Sequence, residues 1–233
     1  MIRGLFITGT DTGIGKTVVA AALMHRYRDE LKLRYWKPIQ TGIEQDNDTV
    51  VVRTLGHCVD DEILDEGVRL KRPLSPHLAA KLSGKSITVD KVYRTLTAQT
   101  DQKVSWIIEG AGGALVPINE SEQMVDLAQM FALPVLVVVS TKLGTINHTL
   151  LTVEALRRRG LVIAGVVMVG DKDIHNREAI ESYGAVSVLG EMPTFAQLDS
   201  NSVRQWALSE LDSKSVLVDH LRLAHHARQS FKL

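Results

Sequence analysis

The 233-residue sequence contains a single cysteine, Cys58. One thiol cannot form an internal disulfide, which predicts a reducing compartment, and we expect a cytoplasmic protein. A catalytic thiol would need a histidine partner, and the neighbouring position of His57 in the sequence is weak support for such a pair.

The sequence also lacks an excess of charge of either sign, with 27 Lys and Arg residues against 27 Asp and Glu residues. This balance provides no general attraction to nucleic acids or to membranes, so neither is expected as a partner. No run of 18 apolar residues is present, and no membrane-spanning helix is expected. The apolar N-terminal stretch runs into a glycine loop rather than a cleavage site, which argues against a signal peptide.

No Ser- or Gly-rich linker and no internal repeat divides the chain, and 45% hydrophobic residues are typical of a globular protein. We therefore predict a single domain over residues 1–222, followed by a C-terminal tail at 223–233. The basic tail is interpreted as a frayed end or a surface helix, with metal binding by His225 and His226 as the less favoured alternative.

Apolar runs predict strands at residues 2–8, 33–39, 104–109, 134–140, 162–169 and 186–189. Helical spacing is clearest at residues 16–28, 123–131, 145–159 and 201–211. Strands that are apolar throughout are typical of parallel sheets with both faces covered, and the helices between them predict right-handed crossovers. The expected fold is three-layer α/β, with a mostly parallel sheet and helices on both faces.

The first predicted strand leads into GTDTGIGKT, residues 9–17, and then into a helix. The loop resembles the phosphate-binding pattern G-x-x-x-x-G-K-[ST], but its first glycine stands one residue earlier. Gly13 and Gly15 permit turns and a close approach of the backbone, whose N–H groups can hold phosphate oxygens. Lys16 adds a positive charge and Thr17 a hydroxyl for Mg²⁺. The context predicts a nucleotide site of the P-loop NTPase type.

Polar residues follow the other predicted strands as well, where ligands bind in open parallel sheets. Lys37 ends the second strand, with Asp48 close behind, and it can neutralise charge as a phosphoryl group moves. Glu109 ends the third strand, where an unpaired carboxylate would be costly, and both acids are ligands of the type that Mg²⁺ prefers. Taken alone, Asp48 also fits a solvated loop, Lys37 a surface lysine, and the GAGG after Glu109 a tight turn.

The long loop, which begins with the sequence GTDT, closely resembles the phosphate loop of the dethiobiotin synthetase family. Four more stretches match family signatures in the right order: KPIQTG (37–42), SPHLAA (75–80), EGAGG (109–113) and GTINHT (144–149). The resemblance spans residues 1 to about 195. It implies an ATP-dependent step of biotin biosynthesis. In that step 7,8-diaminononanoate and CO₂ become dethiobiotin, with ADP and phosphate released, through a carbamate and a carbamic–phosphoric anhydride.

The resemblance also implies roles for single residues. Lys16 and Lys37 would be catalytic, because the carbamate and the triphosphate are both anions and need positive charge to meet. Thr17, Asp48 and Glu109 would bind Mg²⁺.

Other residues would contact the substrate or the nucleotide. The hydroxyls of Thr12 and Thr41 would contact the diamine. The phosphates would be wrapped by Gly13, Ile14, Gly15, Lys16, Thr17 and Val18. Further nucleotide contacts are expected from Asp48, Glu109, Gly110, Ala111, Gly112, Pro193, Thr194 and Phe195.

In this family the start of a later helix accepts the substrate carboxylate, as its dipole favours. The matching residues are Gly144, Thr145, Ile146 and Asn147. In the family this helix comes from the neighbouring subunit, so the resemblance implies a homodimer with sites at the interface. For Thr145 and Asn147 a helix cap is the simpler interpretation, and capping is compatible with anion binding.

One position departs from the family pattern. Many members carry an asparagine that reads adenine where this chain has Val169, which has no polar side-chain atom. Base selection is then either loose, or carried by backbone groups near Gly170 and around residues 193–195.

Two other functions share parts of this sequence pattern. A partition or septum-site ATPase would share the fold, but such proteins usually carry a lysine early in the loop, and residues 9–14 contain none. A related amide-forming ligase would need an ammonia source such as a glutaminase domain, for which there is no room after residue 220. Loss of catalysis is disfavoured because Lys16, Thr17, Lys37 and Glu109 are all present.

Overall fold

The structure is a computed structural model that describes residues 2–99, 101 and 103–223. Its strands are β1 (Arg3–Gly9), β2 (Leu33–Trp36), β3 (Ile39–Gln40), β4 (Ile63–Leu64), β5 (Val68–Arg69), β6 (Ser105–Gly113), β7 (Val135–Ser140), β8 (Ile163–Val169) and β9 (Val188–Met192). Seven of them form one sheet in the order β4-β2-β6-β1-β7-β8-β9, and β3 pairs with β5 in a separate two-stranded sheet. All of these pairings are parallel.

The helices are α1 (Lys16–Tyr27), α2 (Asp48–Leu55), α3 (Pro76–Leu82), α4 (Val89–Thr97), α5 (Met124–Phe131), α6 (Thr145–Arg158), α7 (Ile174–Gly184), α8 (Ser200–Ser209) and α9 (Val216–Arg222), with a 3₁₀ turn at Asp60–Glu62. Helices α1, α2, α8 and α9 contribute to the hydrophobic core on one face of the large sheet. Helices α3 to α7 contribute to the core on the other face. Within the described ranges, no helix combines the length and apolarity needed to cross a membrane.

Successive residues of one strand serve both cores. Leu5 and Ile7 of β1 lie in the core with α1, and Phe6 between them lies in the opposite core. Because successive side chains of a strand point to opposite faces, a sheet covered on both faces needs apolar residues at every position. This confirms the three-layer α/β prediction and explains why the strands were recognisable as continuous apolar runs.

The predicted strands are all present, but the second is shorter than expected. It ends at Trp36, ahead of Pro38, and Ile39–Gln40 pairs instead with Val68–Arg69. This accounts for part of residues 60–74, a region whose pattern is ambiguous in the sequence. The third strand is longer than expected and runs through Gly113, which pairs with Gly9.

The four predicted helices are confirmed as α1, α5, α6 and α8, within one or two residues at each end. Helices α2, α3, α4, α7 and α9 were not predicted, since most are too short to show a clear helical period. The single domain over 1–222 stays a prediction. The tail at 223–233, including His225 and His226, lies outside the described residues apart from Leu223.

Candidate active site

A cavity of about 510 Å³ lies where β2, β6 and β1, which are neighbours in the sheet, end. The carboxyl ends of parallel strands meet at one edge, so the loops that follow these strands form its walls. The predicted site residues that line it are Thr12, Gly13, Gly15, Lys16, Thr17, Lys37, Thr41, Asp48, Glu109, Ala111 and Gly112. The remaining walls come from residues 73–76, Val116 and the loop around Asp46.

The glycine loop begins one wall of this cavity. Gly13 and Gly15 have φ values of 72° and 96°, in the left-handed region that favours glycine. Gly15 caps α1, so the N-terminus of α1 opens on the cavity. Lys16 is buried, and its Nζ donates to the backbone oxygen of Asp11 at 2.7 Å. Burial, and then the charge of Lys37, lower the pKa of Lys16 to about 8.

Lys37 lies at the centre of a buried group of charges. Its Nζ is 2.6 Å from Oδ2 of Asp48 and 2.8 Å from Oε1 of Glu109. It also donates to the backbone oxygen of Gly110 at 2.9 Å. The hydroxyl of Thr17 lies 3.1 Å from Oδ1 of Asp48 and 3.0 Å from Oε1 of Glu109. Residues 17, 37, 48 and 109–110, which are separate in the sequence, therefore converge at one place.

The charge state of Lys37 follows from its neighbours. The residue is 3% exposed, so it is not a surface lysine. Burial by itself lowers the pKa of Lys37, but the carboxylates of Glu109 and Asp48 outweigh burial and the net shift is upward. Lys37 thus remains an ammonium group in the interior of the protein, held by two acids.

Asp48 reaches this group because the loop before it is tied down. The loop ends at Asn47, which caps α2 by accepting from the N–H of Val50 at 3.3 Å. The buried amide of Gln40 donates to the backbone oxygens of Thr41 (2.9 Å) and Asp46 (3.2 Å), and accepts from the N–H of Asp48 at 3.3 Å. Asp48 is therefore the first residue of an ordered helix rather than part of a solvated loop.

The remaining predicted nucleotide residues do not line this cavity. Ile14, Val18 and Phe195 pack against the core beside α1, as does Val169. A Cβ on Gly15 would lie 3.2 Å from a methyl group of Val169, so Val169 packs directly under the glycine loop. Pro193 and Thr194 follow β9, which ends at Met192.

The predicted carboxylate-binding segment lies away from this cavity. Gly144 caps α6 with a φ of 95°, and Thr145, Ile146 and Asn147 form its first turn. Residues 144–147 do not line the cavity of a single chain. Thr145 is buried and its hydroxyl has no hydrogen-bond partner.

Three residues of the site were not assigned a role from the sequence. Tyr35 is fully buried, and its hydroxyl donates to Oε2 of Glu109 at 2.8 Å. Gln40 ties the loop before Asp48, and Asp11 accepts from Lys16 through its backbone. In the sequence alone, Tyr35 is indistinguishable from the other apolar residues of its strand. Its position two residues before Lys37, on the same face of the strand, was the available signal.

The lone cysteine has no catalytic environment. Burial raises the pKa of the Cys58 thiol to about 11, which keeps it protonated and a poor nucleophile.

Comparison with known proteins identifies the family. A family model described as "AAA domain" matches residues 3–202. The chain is 43% identical over 199 residues to the ATP-dependent dethiobiotin synthetase BioD of Agrobacterium fabrum, covering 85% of this chain and 90% of that protein. It is 38% identical over 219 residues to the protein of the same name in Rhodopseudomonas palustris, covering 94% and 99%.

Solved structures agree on the fold. A ParA family ATPase from Chlorobium tepidum superposes with a TM-score of 0.56 at 10% identity, over 89% of this chain and 98% of that one. The MinD cell division protein of Aquifex aeolicus gives 0.54 at 15% identity, over 88% and 95%. Sequence identities of 10% and 15% support a shared α/β fold and no more, so a partition or septum-site role is not favoured.

The relatives near 40% identity settle the membership: this chain belongs to the ATP-dependent dethiobiotin synthetase family.

Proposed function

We propose that this protein converts 7,8-diaminononanoate, CO₂ and ATP into dethiobiotin, ADP and phosphate, in biotin biosynthesis. The observation that carries the proposal is the convergence of Lys37, Asp48, Glu109 and Thr17 beside the glycine loop. This gathers an ammonium group and hard oxygen ligands beside a phosphate-binding loop, as transfer of a phosphoryl group requires. Family membership supports ATP as the co-substrate.

The reaction has three steps, and none needs a covalent bond to the protein. One amine of the substrate adds to CO₂ and loses a proton, which gives a carbamate. A carbamate oxygen then attacks the γ-phosphorus, and the bond from that phosphorus to the β,γ-bridging oxygen breaks, which releases ADP. The second amine attacks the carbamoyl carbon, loses a proton and expels phosphate, which closes the cyclic urea.

Lys16 and Lys37 are assigned to charge neutralisation in the second step, where two anions must come into contact. Lys16 stands at the start of α1, where the N–H groups of the glycine loop also favour anions. Lys37 lies between both acids and is held in place by the Gly110 oxygen, so it needs little reorganisation to face a transferring group. Thr12 and Thr41, which line the same cavity, are assigned to the amines of the substrate.

We assign Mg²⁺ to Thr17, Asp48 and Glu109. The donor set fits, because one hydroxyl and two carboxylates point to the same place and Mg²⁺ prefers oxygen ligands. The described residues hold no group of three or more His, Cys, Asp or Glu side chains suited to a metal, so the three proposed ligands would have to be completed by other oxygen atoms. This is usual for Mg²⁺ that is bound together with phosphates, and the ion would neutralise charge on them.

A homodimer is proposed because residues 144–147 lie outside the cavity of one chain. Leu143 is fully exposed beside this segment, and Leu115 and Leu151 are about half exposed. Leu115 and Leu151 line a second cavity of about 390 Å³ between the glycine loop and α6. A second copy packed here would cover these leucines. Leu151→Glu should give a monomer by light scattering with low activity, whereas Leu208→Glu, an exposed leucine on α8 in the opposite layer, should leave the dimer intact.

The function is tested by incubating the protein with the diamine, bicarbonate, Mg²⁺ and ATP, and measuring dethiobiotin by mass. With ¹⁸O-labelled bicarbonate, the mechanism requires that one labelled oxygen appears in the released phosphate. EDTA should stop the reaction. Dethiobiotin without label transfer would remove the anhydride from the mechanism, and absence of any dethiobiotin would refute the function.

A further inference from the structure

Glu109 has two oxygens with different partners. Oε1 accepts from Lys37 at 2.8 Å and from Thr17 at 3.0 Å. Oε2 accepts from the hydroxyl of Tyr35 at 2.8 Å. Glu109 is 1% exposed, and these three donors all come from the protein. The orientation of the carboxylate is therefore set by its protein neighbours.

The position of Tyr35 follows from the pairing of β2 with β6. Tyr35 pairs with Ile107 and Trp36 with Ile108, so Glu109 continues the register one residue beyond the end of β2. Tyr35 and Ile107 both lie in the core on the α1 face, and Glu109 follows two residues later on that face. Tyr35 thus reaches Oε2 of Glu109 from within the core, whereas Lys37 and Thr17 contact Oε1.

Tyr35 can act only as a hydrogen-bond donor to this carboxylate. A phenol hydroxyl has one proton to donate, and here its acceptor is Oε2 of Glu109 at 2.8 Å. A phenol is a neutral donor, so it orients the carboxylate without adding a positive charge, unlike a second lysine. Oε1 is left to face Lys37 and Thr17.

We infer that Tyr35 is a positioning residue for the metal site: its hydroxyl holds Oε2 of Glu109 so that Oε1 faces Thr17, where Mg²⁺ would bind. This inference rests on the proposed role of Glu109 as a Mg²⁺ ligand. Mutation of a group that holds a metal ligand in its orientation typically lowers metal affinity or activity 10–100-fold.

The test compares nucleotide binding with and without metal in the protein as it stands. The affinity for ATP is measured by calorimetry with Mg²⁺ and with EDTA, in the absence of the diamine so that no turnover occurs. The ratio of the two affinities reports the metal site alone. Tyr35→Phe should lower this ratio roughly tenfold or more, and leave the affinity for ATP in EDTA within about twofold of wild type.

The chain provides a matched control. Tyr27 is also fully buried and its hydroxyl also donates to a carboxylate, that of Asp212, but at the C-terminal end of α1, whose N-terminus is the end at the cavity. Tyr27→Phe should lower thermal stability without changing the affinity ratio. A role of Tyr35 in stability alone would make the two variants alike, and an unchanged ratio in Tyr35→Phe would overturn the inference.

A measurement on the wild type covers the case in which Tyr35→Phe does not fold. A crystal structure with Mg²⁺ and ADP should show Tyr35 still bonded to Oε2 while Oε1 faces the ion. A Glu109 that has rotated away from Tyr35 in that complex would also overturn the inference. Failure of the proposed function looks different, because wild-type protein would then form no dethiobiotin. Failure of the Mg²⁺ assignment would instead appear as equal affinity of wild-type protein for ATP with Mg²⁺ and with EDTA.

Discussion

Replacing Lys37 with methionine tests the buried charge group most directly. Methionine keeps an unbranched chain of similar length but removes the ammonium, which leaves Asp48 and Glu109 facing each other without a counter-charge. Removing one partner from a buried ion pair usually costs about 3–5 kcal/mol. For a chain of this size each kcal/mol lowers the melting temperature by about 2–4 °C, so we expect a fall of roughly 6–20 °C.

The control for this variant is Lys32→Met. Lys32 pairs with Asp101 at 2.7 Å, nearly the same distance, but the two side chains are 63% and 44% exposed. Exposed pairs contribute little to stability, so this variant should melt close to wild type. The melting temperatures of both variants are measured by calorimetry or fluorescence in buffer with EDTA. Equal melting temperatures for the two variants would refute the burial argument.

The Lys37→Met variant also separates the effect of Lys37 on stability from its effect on catalysis. If Mg²⁺ binds at Asp48 and Glu109 as proposed, Mg²⁺ with ATP would supply positive charge to these acids, so the difference in stability between Lys37→Met and wild type should narrow when both are present. Turnover measured below the melting point should still fall roughly 10²–10³-fold, the typical effect of removing one charge-stabilising group from a transition state. Nucleotide binding should persist. Unchanged turnover would remove Lys37 from the mechanism.

Three further predictions concern the glycine loop, the base pocket and the sheet. Since the pKa of Lys16 is lowered to about 8 from the 10.5 of the unfolded chain, and phosphate should raise it again, ATP binding at pH 8 should take up roughly half a proton. Calorimetry in buffers of different ionisation enthalpy should show this uptake, and at pH 6.5 it should vanish. With Val169 in place of an asparagine, turnover with ATP should exceed that with CTP or GTP by less than about 100-fold, or 2.7 kcal/mol, and a larger preference would rule out a loose pocket. Gly4→Ala should destabilise by roughly 3 kcal/mol or more in urea unfolding, because its φ is 140° and its Cβ would lie 2.0 Å from the backbone oxygen of Trp106. Gly84→Ala, at a φ of 61° with open space around its Cβ, should cost less, and equal losses would contradict this account.

The main sheet was predictable because its strands are apolar throughout. A strand covered on both faces needs apolar side chains at each position, and that pattern is visible without knowledge of its partners. The short strand β4, and the pairing of Ile39–Gln40 with Val68–Arg69, carry no such pattern. A strand of two residues is too short to show an alternation of apolar and polar side chains. Its pairing depends on the segment of the same chain that lies beside it in the folded protein.

The residues of the site were predictable to different degrees. Lys16 and Thr17 belong to a contiguous motif whose order along the chain already determines their positions. Asp48 was ambiguous between a metal ligand and a solvated loop residue. Its position depends on the hydrogen bonds of Gln40 across the loop, and such bonds form only when the loop is closed.

The sequence by itself determined the fold class, the phosphate loop and the chemical types of the residues that follow each strand, because these depend on neighbours along the chain. Only the tertiary structure decided which oxygen of Glu109 meets which donor. Tyr35 and Glu109 are 74 residues apart, and the register of β2 on β6 brings the hydroxyl of one to the carboxylate of the other. A shift of that register by one residue would turn Tyr35 to the other face of the sheet and leave Oε2 without its donor.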